Sequence, residues 1–169
     1  MTSACTQLAD SVRSFTCLTL MQPWATLVAY GFKEIENRTW YTNHRGPLLI
    51  TSSALPASQV DSEAARETMA RTFAPSDWER WNTMEEQARA AGVEHEPHGC
   101  LVALVDLVDV VQDSDSIWAL PEHYHWKLAY PRIVDPVPVS GRQGLWRWTG
   151  NLGVPLGSPA WVEQGWLLS

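Results

Sequence analysis

The stretch from Gln22 to Ser53, Q-P-W-A-T-L-V-A-Y-G-F-K-E-I-E-N-R-T-W-Y-T-N-H-R-G-P-L-L-I-T-S-S, holds the densest set of chemically useful side chains in this sequence. Lys33, Glu36 and Arg38 follow Gly31 closely, and on an extended strand Glu36, Arg38 and Trp40 share one face. An ammonium, a carboxylate and a guanidinium beside an indole make a compact polar recess. Arginine grips a phosphate or a base edge through two parallel donors, and Trp24 or Trp40 offers a face to a stacked ring. Spacing alone leaves an alternative open, in which Glu36 and Arg38 merely pair on a solvated strand face.

Local signals supply the elements that must position these groups. Thr16 to Met21 alternates enough for a strand. Gln22-Pro23 then opens a helix, with Pro23 in the first turn, where its missing N–H is harmless. Trp24, Leu27 and Val28 recur at helical spacing, and Gly31 supplies a left-handed stop. Glu34 to Tyr41 reads as a strand, Thr42 to Pro47 as a turn, and Leu48 to Thr51 as an apolar strand. Ser58 and Ser76 each begin a helix, the second with a Ser76–Glu79 capping box. Trp78, Trp81 and Ala88 give that helix an apolar stripe, and Gly92 ends it.

Leu101 to Val111 is apolar on both faces, which predicts a central strand. Tyr124 to Tyr130 and Arg132 to Val139 read as two more strands, confined by Pro131, Pro136 and Pro138 to edges or ends. Gly141 to Trp148 reads as a turn followed by a short strand or a helical turn. About six short strands with helices between them predict an α+β chain built on a small mixed β-barrel. Trp78, Trp81, Trp126, Trp146 and Trp148 lie in periodic elements and are assigned to packing.

Composition narrows the function classes. The 169 residues suit one domain; 45% apolar content argues against disorder, and 18% charged content against a coiled coil. No apolar run approaches the ~20 residues of a membrane span, and Met1 to Ser14 lacks the apolar stretch of a secretory signal. Cys5, Cys17 and Cys100 read as reduced, buried thiols, so a cytoplasmic setting is expected. Ten tryptophans against three phenylalanines, and ten arginines against two lysines, suit a recognition surface. A net charge of -7 argues against a general polyanion binder and for a small local patch. Between Lys33 and Arg45, three basic residues and His44 stand against Glu34 and Glu36, while much of the acidity falls between Asp61 and Glu96.

Other candidates carry less. His95, His98 and Cys100 have the spacing of metal ligands, yet their acidic and proline neighbours fit a solvated loop, and no metal or cofactor is expected. His123 and His125 would share a strand face, where packing explains them. Asp106 and Asp109, three apart on a strand, would face opposite sides; one of them would orient Lys33 or accept a base amino group, or simply reach water. Gly141 and Gly144 lack the Lys-Ser/Thr of a phosphate-binding loop.

The ordered positions Gln22, Pro23, Trp24, Ala25, Leu27, Gly31, Lys33, Glu36, Arg38 and Trp40, continued by Tyr41-Thr42 and His44-Arg45-Gly46, resemble the activating signal cointegrator homology (ASCH) domain family. The strand from Gly99 to Asp109, the segment Pro138 to Gly141 and the Trp146 region resemble that family's later strands. The likeness spans Thr16 to Trp148, leaving residues 1–15 as an N-terminal extension and 149–169 as a tail that docks through Trp161, Trp166 and Leu167. The resemblance implies a β-barrel similar to the PUA fold. It also implies a cleft beside the helix after Pro23, lined by Gly31, Lys33, Glu36 and Arg38, and a nucleic-acid-binding role.

The leading expectation is an ASCH domain that binds RNA, a nucleotide or single-stranded nucleic acid through Trp24, Lys33, Glu36, Arg38, Trp40, His44 and Arg45. One bacterial branch of the family hydrolyses an acetylated cytosine nucleoside with a lysine and a threonine three residues apart. Here Glu36 stands where that threonine would fall. The second expectation is therefore a hydrolase of a modified nucleoside or RNA, with Glu36 as general base for a water and Lys33 stabilising an oxyanion. The third is a protein-interaction module that docks a partner through the tryptophan-rich tail.

Overall fold

The computed structural model describes residues 12–152. Within them one six-stranded sheet contains β1 (Arg13–Leu20), β2 (Ile35–Arg38), β3 (Gly46–Ser52), β4 (Leu101–Val111), β5 (Tyr124–Ile133) and β6 (Leu145–Gly150). Helices α1 (Trp24–Ala29), α2 (Gln59–Thr72) and α3 (Pro75–Ala90) are inserted between the strands. The spatial order is β2-β5-β4-β3-β1-β6, with β1 and β3 parallel and the other neighbours antiparallel. The sheet curls into a half-barrel, the α+β arrangement that the sequence predicts. Among the described residues no helix is long and apolar enough to cross a membrane. Cys5 and the tail residues Trp161, Trp166 and Leu167 lie outside the described residues.

Two apolar clusters hold the sheet. The larger unites Leu18, Leu20, Leu48, Ile50, Val105, Leu107 and Trp126 with Leu27 and Val28 of α1, which packs against β1, β3, β4 and β5. The smaller gathers Phe15, Cys17, Leu49, Leu101, Leu104 and Val134, with Trp146 and Trp148 packed against it. Two-faced burial of β4 explains its apolar run: Leu101 to Val105 are all buried, and β3 and β5 flank it. Trp126 is fully buried and Trp81 nearly so, whereas Trp146 and Trp148 are half-buried.

Where sequence and structure differ, long-range pairing explains the difference. β1 begins at Arg13 and β6 runs on to Gly150, because Arg13 pairs with Gly150 and each strand extends the other. The expected pair of strands around Pro131 is one strand, β5, lying inside the sheet between β2 and β4. A bulge makes this compatible with proline. Leu104 faces Arg132 and Asp106 faces Ala129, so Tyr130 and Pro131 together oppose Val105, and Tyr130 adopts φ 52°. A second irregularity inserts Val108 between Leu107, opposite Leu128, and Asp109, opposite Lys127. The extra residue resets the alternation, so Asp106 and Asp109 both reach the accessible surface rather than opposite faces.

Helix ends follow local chemistry. Ser58 caps α2 as expected, its hydroxyl accepting the Asp61 amide at 3.1 Å. The start of α3 is displaced by two residues from the expected Ser76–Glu79 box. Pro75 occupies the first turn, and the Asp77 carboxylate accepts the Ala74 amide at 2.9 Å. Pro23 stands just before α1, and the buried Gln22 side chain takes up the Thr26 amide at 3.0 Å. Gly31, at φ 76°, closes α1 with a Schellman turn: its N–H donates to the Val28 carbonyl at 3.0 Å, and the Phe32 N–H donates to that of Leu27 at 2.9 Å.

The loop after α3 straps the helices to α1. Thr26 Oγ1 donates to the His95 carbonyl at 3.2 Å, Gln22 Nε2 to the Pro97 carbonyl at 2.8 Å, and Arg66 pairs with Glu96 at 2.7 Å. The His95 ring packs edge-on against Trp81, with Nδ1 at 3.0 Å from the Tyr30 hydroxyl. Burial, then the Glu96 and Glu85 carboxylates, push that hydroxyl up to about 12, so it stays protonated and can donate to the imidazole. Burial holds His95 below its ordinary value; Glu96 and Glu85 oppose the shift and Arg66 adds to it.

Two outcomes follow. A base with a depressed folded-state value takes up its proton more readily when unfolded, so its contribution is complete above about pH 6.5 and is lost as pH falls below it. Denaturant midpoints measured at pH 7.5 and 5.5 will therefore fall more steeply for the parent than for His95→Gln. Replacing Gly31 by alanine forces a side chain into the left-handed region and lowers the unfolding free energy by about 1 kcal/mol, which the same titration at pH 7.5 reads.

Candidate functional site

The Schellman turn delivers Lys33 into the protein. Its N–H donates to the Leu27 carbonyl at 3.1 Å, and its side chain is only 4% exposed. The ammonium donates to the Ile35 carbonyl and to Glu36 Oε2, the latter at 2.8 Å, and lies 5.8 Å from the Trp24 ring. The other carboxylate oxygen, Glu36 Oε1, is 3.3 Å from Arg38 Nε, and Arg38 Nη2 reaches the Thr19 carbonyl at 3.5 Å. One carboxylate thus serves two cations. The relay crosses from the end of α1 through β2 to β1, strands far apart in the sheet order that the curl brings together. Arg38, 23% exposed, is its accessible end.

A segment from Ser114 to Leu120 walls this relay. Trp118 sets its ring edge-on to Trp24, and its indole N–H donates to the Phe32 carbonyl at 2.8 Å. Asn37, between Glu36 and Arg38, holds the segment from both sides: Nδ2 donates to the Trp118 carbonyl at 2.8 Å and Oδ1 accepts the Leu120 amide at 3.0 Å. A small open hollow beside Lys33 is lined by Val28, Gly31 and Glu34 on one side and by Ala129 and Pro131 of β5 on the other. Glu36 and Arg38 are not among its walls.

The other sequence-selected residues separate into distinct places. β2 stops at Arg38, and Trp40 packs edge-on against the buried Trp126, which lies opposite Glu36 in the strand pairing. His44 Nε2 lies 2.9 Å from the Pro47 carbonyl. Arg45 donates to the Thr42 carbonyl at 2.9 Å, stands over Tyr41 and pairs with Asp109 at 3.7 Å. No contact among the described residues links His44 or Arg45 to the relay. Asp106 pairs with Arg132 at 3.3 Å. His125 is buried against Asn37 Oδ1 at 3.0 Å while His123 turns to the Pro121 carbonyl, so the two imidazoles do not share a strand face. Cys100 is buried beside the Ser52 hydroxyl, and burial raises its thiol.

Sequence reasoning missed Thr19, Asn37, Trp118 and Arg142. Asn37 and Arg142 lay in motifs already noted, within E-N-R and G-R-Q-G, but their partners are about 80 and 120 positions away, where no local pattern reaches. Electrostatically the relay carries two positive charges and one negative. Each Glu36 oxygen faces a cation: Oε2 accepts from Lys33, and Oε1 lies in ion-pair range of Arg38 Nε.

The chain matches the ASCH domain family over residues 18–138. It is 31% identical over 144 residues to human activating signal cointegrator 1, covering 78% of this chain and 22% of that protein. It is 37% identical over 106 residues to the mouse protein of the same name, covering 63% of this chain and 16% of the relative. The match thus spans about a fifth of each relative's length. The Gly31 turn, the Lys33–Glu36–Arg38 relay and strands β2 to β5 all lie within the matched residues, and the chain belongs to the ASCH domain family.

Proposed function

We propose that this chain binds single-stranded nucleic acid, RNA foremost, at the surface where α1, β1 and β2 meet. The observation that carries the reading is the asymmetric use of Glu36. It neutralises the buried Lys33 and leaves Arg38 at the surface with a net positive charge for the group, beside the half-buried Trp24. A guanidinium anchored on one side and open on the other suits a phosphate oxygen or a base edge. The overall charge of -7 supports a short contact over an extended track of phosphates. Likeness to proteins named activating signal cointegrator supports a cointegrator-like setting for that binding. The buried free thiols of Cys17, which burial pushes up to about 11, and Cys100 support a reducing, cytoplasmic one.

Binding is favoured over hydrolysis because Glu36, the general base a hydrolase reading would use, already faces two cations. Fluorescence anisotropy with a short dye-labelled RNA tests the reading. Arg38→Ala will weaken binding about tenfold, the size expected for one charge-assisted hydrogen bond, while leaving the far-UV spectrum and melting temperature near those of the parent. Arg45→Ala, outside the relay, will change affinity much less. Acylated nucleosides incubated with the protein will come back unchanged; turnover that Glu36→Gln abolishes would establish a hydrolase instead.

A further inference from the structure

Thr19 joins two arginines from distant parts of the chain. Its carbonyl accepts from Arg38 Nη2 at 3.5 Å, and its hydroxyl takes the Arg142 backbone N–H at 3.2 Å and the Trp146 indole N–H at 3.0 Å. With both lone pairs of that oxygen occupied, its proton goes to Thr51 Oγ1, 3.0 Å away on the paired strand. Gly141 completes the seat: a Cβ there would stand 2.5 Å from Thr19 Cγ2, so only glycine lets the loop come this close. The root of the 140–144 loop is therefore anchored to β1.

Its tip is not. The Arg142 side chain is exposed, its guanidinium stands 6.0 Å from the centre of the Trp146 ring, and it has no carboxylate partner among the described residues. Across Thr19, Arg38 shares its carboxylate partner among the described residues, Glu36, with Lys33. The junction thus gathers a net charge of about two, a half-buried indole and a planar cation, in a chain that is acidic overall.

We propose that Trp146, Arg142 and Arg38 form a subsite for one nucleotide of a single strand. The Trp146 face beside the Arg142 guanidinium takes the base, and Arg142 and Arg38 each hold one of the two phosphates that flank it. This rests on the nucleic-acid reading above and deepens it by naming the residues that contact the ligand and the unpaired state of its base. A base held within a duplex cannot present its face to a side-chain stack, so a matched duplex binds weakly here.

The test uses the full chain, dye-labelled oligouridylate, the matching DNA strand, the duplex and an abasic phosphodiester oligomer of equal length, over a range of salt. Two phosphate contacts predict a slope of log affinity against log salt of about -1.4, from about -0.7 per phosphate on single strands. Arg142→Ala will reduce the slope to about -0.7 and weaken binding about tenfold. Arg142→Lys will restore the slope without restoring the affinity, since it keeps the charge and loses the plane. If Arg142→Ala binds as the parent does while Arg38→Ala loses binding, the subsite is wrong and the broader reading stands. An abasic oligomer that competes as well as oligouridylate also overturns the subsite. Absence of binding to every oligonucleotide at low salt overturns both.

Discussion

A single carboxylate shared between two cations organises this protein's candidate site. Lys33 is forced inside by the turn that ends α1, and a buried ammonium is tolerated only when paired and hydrogen-bonded. Glu36 and the Ile35 carbonyl supply that pairing, and the Trp24 face adds a further favourable contact. Because Glu36 must face inward for Lys33, its second oxygen is what orients Arg38, and Arg38 in turn ties β2 to β1. The proposed recognition surface is thus a by-product of satisfying one buried charge.

The half-barrel makes that geometry reachable. β2 and β1 are separated by three strands in the sheet order, and only the curl places Arg38 against Thr19. The bulges at Tyr130–Pro131 and Val108 belong to the same account, since bulges bend strands and increase local twist. One of them also lines the hollow beside Lys33. On the other side, the Ser114–Leu120 segment is held by Asn37, which lies between two members of the relay. Curvature, wall and charge network therefore depend on β2, a strand of only four residues.

What was legible in the sequence is what short-range chemistry dictates. Gly31, Ser58 and the Leu101–Val111 run each announce a turn, a cap and a buried strand through their own residue types and near neighbours. The order Gly31, Lys33, Glu36, Arg38 pointed to the polar recess, and three of those residues do form one connected group. What was not legible depends on distant partners. Pro131 reads as a strand breaker until β4 is in place to accommodate a bulge. Ser76 looks like a cap until Pro75 and Asp77 prove better suited to the first turn. Trp40 alternates with Arg38 in sequence, but its contact with Trp126, 86 positions away, comes from the pairing of β2 with β5. Thr19 and Arg142 each look unremarkable alone; their meaning lies in a contact across 123 positions.

Unfolding free energies of four proteins test the shared carboxylate most directly: the parent, Glu36→Leu, Lys33→Met and the double variant. Glu36→Leu strands a buried ammonium and should cost about 3–5 kcal/mol. Lys33→Met should cost less, because Glu36 keeps Arg38 as a partner. Adding Lys33→Met to Glu36→Leu should then restore about 2 kcal/mol or more, since it removes the unpaired charge. If Lys33→Met instead lowers stability by the same amount in both backgrounds, the two residues are not coupled and the account of the site built on Glu36 is wrong.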